Sequence, residues 1–372
     1  MIADLLLRSG LAAAGGVLVP ATQAALVLDD TGLDVLPGII DLHGDAFERA
    51  VSPRPGVMFP LDLALAELES HLLAAGVTTA YLAVTLSWEA GLRSTATYAK
   101  LRDALAARPR DAVPELRLHV RFEANNLAAL PVLLADIAAG HVHMLSFNDH
   151  TPGILRKLGN PVLVSKFAER SGQTYEEFCA DARLAGQVTP AQILDAHRQL
   201  AQAARARGIA MASHDDTSLA ERAYFRGLGA KISEFPTTVE VARAATAAGE
   251  PTVMGAPNVV RGGSHTGWHG AEDLVRERAC SVLVSDYHYP SLLAAVYRLA
   301  ANGSASMDEA VALVTANAAA AAGLTDRGAL ALGQRADILL VEPGPLPRLV
   351  AVIAAGRLAY LAPGAVDRLT RR

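Results

Sequence analysis

Two cysteines, Cys179 and Cys280, are all that the 372 residues contain, too few and too far apart for a disulfide framework or a zinc knuckle. A reducing compartment, the cytoplasm, is the expectation. No stretch approaches the ~18 uninterrupted apolar residues of a membrane span. Nor is there an excess of positive charge: the formal net charge is −5, so the basic footprint of a nucleic-acid-binding surface is missing. An anionic ligand must therefore be held by local charge. No Gly-x-Gly-x-x-Gly follows the first strand, which argues against an open, doubly wound sheet that binds a dinucleotide. The N-terminal Leu5 to Leu7, Leu11 to Val19 and Ala-Thr-Gln-Ala24 outline a secretory signal only superficially, because Asp4 stands where a basic region belongs and Arg8 interrupts the apolar run.

What is present is apolar material in a regular rhythm. Half of the chain, 51%, is hydrophobic, enough for one large core and a small second domain. From about residue 38 to 323, short apolar runs alternate with Ala/Leu-rich helical segments, the pattern of repeated strand-helix units around a parallel sheet. The strand candidates are Gly38 to His43, Thr78 to Val84, Leu116 to Glu123, Val142 to Phe147, Ile209 to His214, Ala230 to Ser233, Thr252 to Gly255 and Val282 to Asp286. Eight of them predict an α/β fold, a closed (β/α)8 TIM-like barrel spanning 36–326. The segments 1–35 and 327–372 carry short β-rich runs, among them Gly333 to Val341 and Leu349 to Tyr360, and are expected to meet in a small β-sandwich beside it. The helices Leu61 to Ala75 and Ile193 to Arg207 read as amphipathic connectors, with His71 and His197 in structural or solvated positions. One connection, Thr151 to Gly208, is unusually long and holds turns at Pro152-Gly153, Gly159-Asn-Pro161 and Thr189-Pro190. Excursions of that length are often lids or binding loops.

Barrel chemistry collects where strands stop at their C-terminal ends. Five apolar runs stop on residue types that ligate metals. The stretch Leu36-Pro-Gly-Ile-Ile-Asp-Leu-His-Gly-Asp45 puts His43 and Asp45 two residues apart, the spacing that faces both to one side of a strand. The next such run has Leu116, Leu118, Val120 and Phe122 on one face and Arg117, His119, Arg121 and Glu123 on the other. The remaining three runs end in Asn148-Asp-His150, His214-Asp-Asp216 and Asp286-Tyr-His288. Singly, each is better explained as a cap or loop residue. Together they bring six His, Asp and Glu side chains to one mouth, a number that suits two divalent ions sharing a carboxylate.

These strings resemble the amidohydrolase superfamily, in both the Pro-Gly-Ile-Ile-Asp-Leu-His start and the Gly-Gln-Arg-Ala-Asp-Ile-Leu-Leu ending. More narrowly, Ala212-Ser-His-Asp-Asp216, Glu234-Phe-Pro-Thr-Thr238, Met254-Gly-Ala-Pro-Asn258, Val260-Arg-Gly-Gly-Ser-His265 and Ser285-Asp286 are similar to the family of α-D-ribose 1-methylphosphonate 5-triphosphate diphosphatases of carbon-phosphorus lyase pathways. The wider superfamily commonly opens with His-x-His and bridges its metals with a carboxylated lysine. Asp45 and Glu123 stand in those places here, as in the phosphonate branch. The resemblance implies that His43, Asp45, Glu123, His150, His214 and Asp286 hold two divalent ions, zinc first and manganese, iron or nickel as alternatives. It further implies Glu123 as the bridge, Asp286 as the proton acceptor, and attack on the phosphorus nearest the ribose with release of pyrophosphate. A triphosphate also needs donors. The Gly-rich stretch Asn258 to His265 is the expected anion nest, through Asn258, Arg261, Gly262, Gly263, Ser264 and His265, with Arg54 and Lys166 as further substrate-binding candidates. Asp215, Asp216 and Asp41 are expected to orient ligands from behind.

The expected assembly is a homodimer acting on a small phosphorylated ribose, with neither nucleic acid nor membrane as partner. One alternative keeps the metals and changes the bond, giving an amidase, cyclic-amide hydrolase or deaminase. Another is a metal-free scaffold, which predicts vacant ligand positions where this sequence has none.

Overall fold

The computed structural model describes residues 3–263 and 270–371. Eight strands lie side by side in chain order, every neighbouring pair parallel: β1 (Ile39–Gly44), β2 (Val77–Leu86), β3 (Glu115–Glu123), β4 (Met144–Asn148), β5 (Ala210–His214), β6 (Ile232–Glu234), β7 (Thr252–Gly255) and β8 (Val282–Val284). Each corresponds to one of the eight apolar runs. The ladder between β8 and β1 is thin, and the ring is drawn together by the residues that follow it. Gly44 bridges Asp286, the Asp45 amide donates to the Asp286 carbonyl and the Asp286 amide donates to the His43 carbonyl, both at 2.9 Å. Beneath this seam the buried Asp41 carboxylate accepts from the Ser285 amide (3.0 Å), the Ser285 hydroxyl (2.5 Å) and the His43 amide (3.3 Å).

Two apolar layers follow from the side-chain alternation of strands. Leu118, Val120 and Phe122 of β3 face outward into a shell with Leu65, Leu68 and Leu72 of the first long helix and Leu200 of another. Ile40, Leu42, Tyr81, Met144, Ile232, Val253 and Val282 fill the barrel interior. His119, Arg121 and Glu123, the opposite parity of β3, point inward. His71 is exposed; His197 is buried, its Nδ1 3.0 Å from the Tyr224 hydroxyl and its ring beside Phe147 and Phe225.

The chain ends build two further sheets. Ala24–Leu28 pairs with Ala3–Leu7 and with Leu369–Arg371, while Ile338–Glu342 pairs with Asp34–Pro37 and Arg348–Ala354. Ile338 and Leu340 face a core shared with Leu5, Leu7, Leu18 and Leu28, and the alternate residues Leu339 and Val341 face the barrel shell. Among the described residues no helix is long and apolar enough to cross a membrane.

The long connection is helical rather than a loop. Its helices are Thr151–Leu155, Pro161–Ser171, Tyr175–Ala185 and Pro190–Ala206. The expected turn at Pro152-Gly153 falls inside the first, where proline is tolerated because the first-turn amides have no intrahelical partner. Asn160 caps the second helix, and Thr174 and Thr189 cap the last two through reciprocal capping boxes. Ile154, Val164, Ala168, Phe178 and Ala182 form its own small core. The unit is clamped to the barrel: Trp88 Nε1 donates to Thr151 Oγ1 (2.9 Å), Asn125 Nδ2 donates to the Ala185 carbonyl (2.9 Å), and Arg170 pairs with the buried Glu89.

Gly38 joins sandwich to barrel, and a Cβ there would lie 2.3 Å from Thr78 Oγ1 and 2.8 Å from Asp337 Cβ, neither of which sits on a flexible arm. Gly38→Ala is expected to cost about 1–3 kcal/mol of stability, read as a lower urea midpoint at unchanged slope. An unaltered midpoint would show that this junction yields freely.

Candidate metal centre and active-site cavity

The strand ends converge on Glu234, the last residue of β6. Its carboxylate is fully buried, yet it is surrounded by donors. Oε1 lies 3.1 Å from His43 Nδ1, while Oε2 accepts from Ser146 Oγ at 2.8 Å and lies 3.4 Å from His214 Nδ1 and 3.9 Å from His119 Nε2. Burial alone would raise this carboxyl, but His43 and His119 beside it, with hydrogen bonds from His214 and His43, hold it well below its ordinary value. Burial acts on the imidazoles in the opposite sense to its action on a carboxyl. Burial pushes His214 down to about 4 and His119 down to about 3, leaving neutral rings, the form in which imidazole ligates a metal. The His43 and His214 rings stack at 5.3 Å, and Phe235 packs edge-on against both. Gly44 has no room for a side chain, since a Cβ would stand 2.7 Å from Asp41 Oδ2 and 2.8 Å from Tyr289 Cε1.

A second group lies above the first. His150 follows β4, and both its amide (2.6 Å) and its Nδ1 (3.0 Å) meet the Glu123 carboxylate, which also accepts from the Thr151 amide (3.1 Å) and hydroxyl (3.2 Å). Glu123, expected as a bridge between ions, thus meets the His150 ring through Oε2, while Oε1 accepts from the His150 and Thr151 amides and the Thr151 hydroxyl. His150 Nε2 lies 3.9 Å from Asp215 Oδ2, and His214 Nε2 lies 3.7 Å from Asp215 Oδ1. The Arg121 guanidinium donates to that same His214 Nε2 at 2.9 Å. Asp45 lines the same cavity, its carboxyl raised by burial and by Glu48 against the pull of Arg121, His43 and Arg93. Asp286 is tied by its peptide groups to His43 and Asp45.

Backbone conformation marks this mouth. Of the five described non-glycine residues with positive φ, three sit within two residues of the end of a barrel strand: Asp215 (59°), Phe235 (51°) and Asp286 (54°). L-residues adopt that region at a cost and mostly where a side chain must be aimed. Behind Asp215, Asp216 is buried against Arg222, Ser213 and Ser233, and Arg222 also pairs with Glu250. This network supports the loop without reaching the cavity.

The cavity has a volume of about 550 Å³ and is lined on one side by Asp45, Arg121, His150, His214 and Asp215. The helical excursion contributes Arg156, Lys157, Phe167 and Arg170 to the lining. Lys166 lies on the exposed side of its helix, and Arg54 is exposed in a short turn. The expected Gly-rich loop begins as a helix, Ala256–Arg261, which places Asn258 within it and ends at Gly262 in the left-handed region. Arg261 donates to the Tyr287 hydroxyl at 3.3 Å beside Asp286, and Gly263 follows. Ser264 and His265 lie outside the described residues. Glu234 and Arg121 were not among the sequence candidates. A signal existed for each: the sixth apolar run ends on Glu234 once extended by one residue, and Arg121 shares the inward parity of β3.

The donor set fits divalent cations. One ligand atom from each of His43, His214 and Glu234 lies within 4.8 Å of the others, and the same holds for His150, His214 and Asp215. Neutral imidazole nitrogens with carboxylate oxygens are ligands for zinc, manganese, iron or nickel.

Comparison with known proteins agrees with this architecture. A model of the amidohydrolase family matches residues 35–364. Over 327 residues the chain is 36% identical to alpha-D-ribose 1-methylphosphonate 5-triphosphate diphosphatase of Escherichia coli (strain K12), covering 85% of each protein. Among solved structures, 5-methylcytosine deaminase from Klebsiella pneumoniae superimposes with a TM-score of 0.60 at 14% identity, covering 97% of both chains. A putative prolidase from Bifidobacterium longum gives 0.56 at 17% identity, covering 93% of this chain and 87% of that one. At such identities the two structures speak for the fold alone.

Glu234→Gln keeps the shape of the side chain and removes its charge from between His43 and His214. The expected result is a loss of divalent-cation affinity of about 10–100-fold, measured by competition with a chromophoric chelator. Affinity equal to that of the unaltered protein would dismiss Glu234 as the organising group.

Proposed function

We propose that this chain, a hydrolase that belongs to the amidohydrolase family, converts α-D-ribose 1-methylphosphonate 5-triphosphate to the corresponding 5-phosphate and pyrophosphate. The observation that carries the reading is the mixed polarity of the cavity lining, which gathers imidazoles and carboxylates of the strand ends with Arg93 and Arg121 and, from the helical excursion that forms its roof, Arg156, Lys157 and Arg170. A neutral amide would have no use for that roof, whereas a polyphosphate needs both surfaces. The volume suits a ligand of this size, and the curated relative carries the same reaction in its name across nearly the whole chain.

In this reading His43, His214 and Glu234 would hold one divalent ion, and His150 and Asp215, with His214 between the two groups, would hold a second, Asp45 lining the same cavity. Such ions, when bound, neutralise phosphoryl oxygens and make water acidic enough to attack near neutral pH. The protein's own groups do the rest. Asp286, held rigidly by the β1–β8 seam, accepts the proton of the attacking water. Glu123 locks the His150 ring, and Glu234 fixes those of His43 and His214, so that no reorientation is needed during reaction. Arg121 lies between His214 and the cavity, placed to hold a non-bridging phosphoryl oxygen of the reacting group. Arg261, which donates to the hydroxyl of Tyr287, the residue that follows Asp286, adds positive charge there. The leaving pyrophosphate requires little protonation when cations cover it.

Hydrolysis in 18O-labelled water, followed by phosphorus NMR, is expected to yield unlabelled pyrophosphate and one label in the ribosyl 5-phosphate. Release of orthophosphate, or of ammonia from an amide or amidine substrate, would overturn the assignment. Chelation should abolish turnover and added divalent cation restore it. Asp286→Asn is expected to lower kcat by roughly 10²–10⁴-fold with bound metal retained; near-normal turnover would remove Asp286 from proton transfer.

A further inference from the structure

The cations that line the cavity are not equivalent. Arg93 is paired with Glu48 and Arg170 with Glu89, so their charge is already compensated. Arg156 and Lys157 have no carboxylate partner among the described residues, although both line the cavity and both are exposed to it. Lys157 is also anchored. Phe167, itself a cavity residue, has Lys157 Nζ 5.4 Å from its ring centroid and the Arg170 guanidinium at 5.4 Å. Phe167 in turn packs against Phe178 in the small core of the excursion. Cation–ring contacts of this kind hold a long side chain in place without consuming its charge. Finally, the placement along the chain is directional. His150 stands at the metal-ligating floor, and Arg156 follows it by six residues across one short helix, ~9 Å of rise at ~1.5 Å per residue.

We propose that Arg156 and Lys157 form a polyphosphate subsite that grips the two terminal phosphates, those that leave together as pyrophosphate. The inference rests on the diphosphatase reading for its substrate, but it makes a separate physical claim: the roof of the cavity selects for a chain of linked phosphates, not for a single one. Discrimination between triphosphate and monophosphate then resides in the helical excursion, and the inorganic product competes with substrate for the same cations.

The test uses the full-length, metal-loaded protein and inorganic probes. Isothermal titration with tripolyphosphate, pyrophosphate and orthophosphate is carried out on the unaltered protein and on a double variant, Arg156→Ala with Lys157→Ala. Both positions are exposed, and a melting transition alongside confirms folding. Expected is at least a tenfold loss of tripolyphosphate and pyrophosphate affinity with orthophosphate binding unchanged, and recovery in Arg156→Lys with Lys157→Arg. Tripolyphosphate binding within twofold of the unaltered protein, or an equal loss for all three probes, would overturn the subsite. Failure of the two claims is distinguishable. If no ribosyl triphosphate is hydrolysed but the double variant still loses tripolyphosphate, the subsite stands and the substrate assignment falls. If triphosphate is cleaved and the variant binds and turns over normally, the reverse holds.

Discussion

The structure depends on how its ring of strands is closed. Between β8 and β1 the regular ladder is nearly absent, and the seam is made by peptide groups of His43, Asp45 and Asp286, reinforced by the Asp41 carboxylate on Ser285. Three candidate ligands thus lie in the seam itself. Their relative positions are set by backbone hydrogen bonds that the barrel cannot give up without opening. A site built this way is rigid because the fold is, which is what preorganised catalysis requires. Gly44 belongs to the same constraint, because only a residue without a side chain lets Asp41, Ser285 and Tyr289 approach so closely.

Above the seam, buried charge is arranged in layers. Glu234 is held below its ordinary carboxyl range, in spite of burial, by the imidazoles and the hydroxyl that surround it, and burial lowers two of those rings, His119 and His214, toward their neutral form. The outcome is a carboxylate with ring nitrogens around it, ready for a cation. The Arg121 guanidinium brings positive charge to within 2.9 Å of His214 Nε2. The excursion adds the opposite surface, and its clamps through Glu89, Trp88 and Asn125 hold the two faces of the cavity in register.

Much of this was legible in the sequence, for physical reasons. Parallel strands buried on both faces are near-continuous apolar runs, so all eight could be read. The alternation of β3 gave the inward parity of His119, Arg121 and Glu123 directly. Helices inside the excursion were harder, because Pro152, Pro161 and Pro190 signal turns in sequence but occupy first-turn positions in the structure, where a missing amide costs nothing. The stretch after β7 was read as a glycine-rich loop, and its first residues are helical because Gly262 and Gly263 come only after the turn is complete. Glu234 was obscured by its setting: a three-residue strand gives too little periodicity to show that its last member points inward. What one sequence does not contain is the pairing partner, and a carboxylate's role here follows entirely from which rings it meets.

The left-handed backbone at Asp215, Phe235 and Asp286 has an evolutionary consequence. Each of these residues is held at a cost of order 1 kcal/mol that glycine would relieve, so mutation toward glycine offers the fold a gain in stability at the very positions that aim carboxylates and a ring at the centre. Selection for robustness and selection for turnover therefore pull in opposite directions at the tips of three barrel strands. A lineage that lost its need for the reaction would be expected to drift to glycine there first, becoming sturdier as it fell silent.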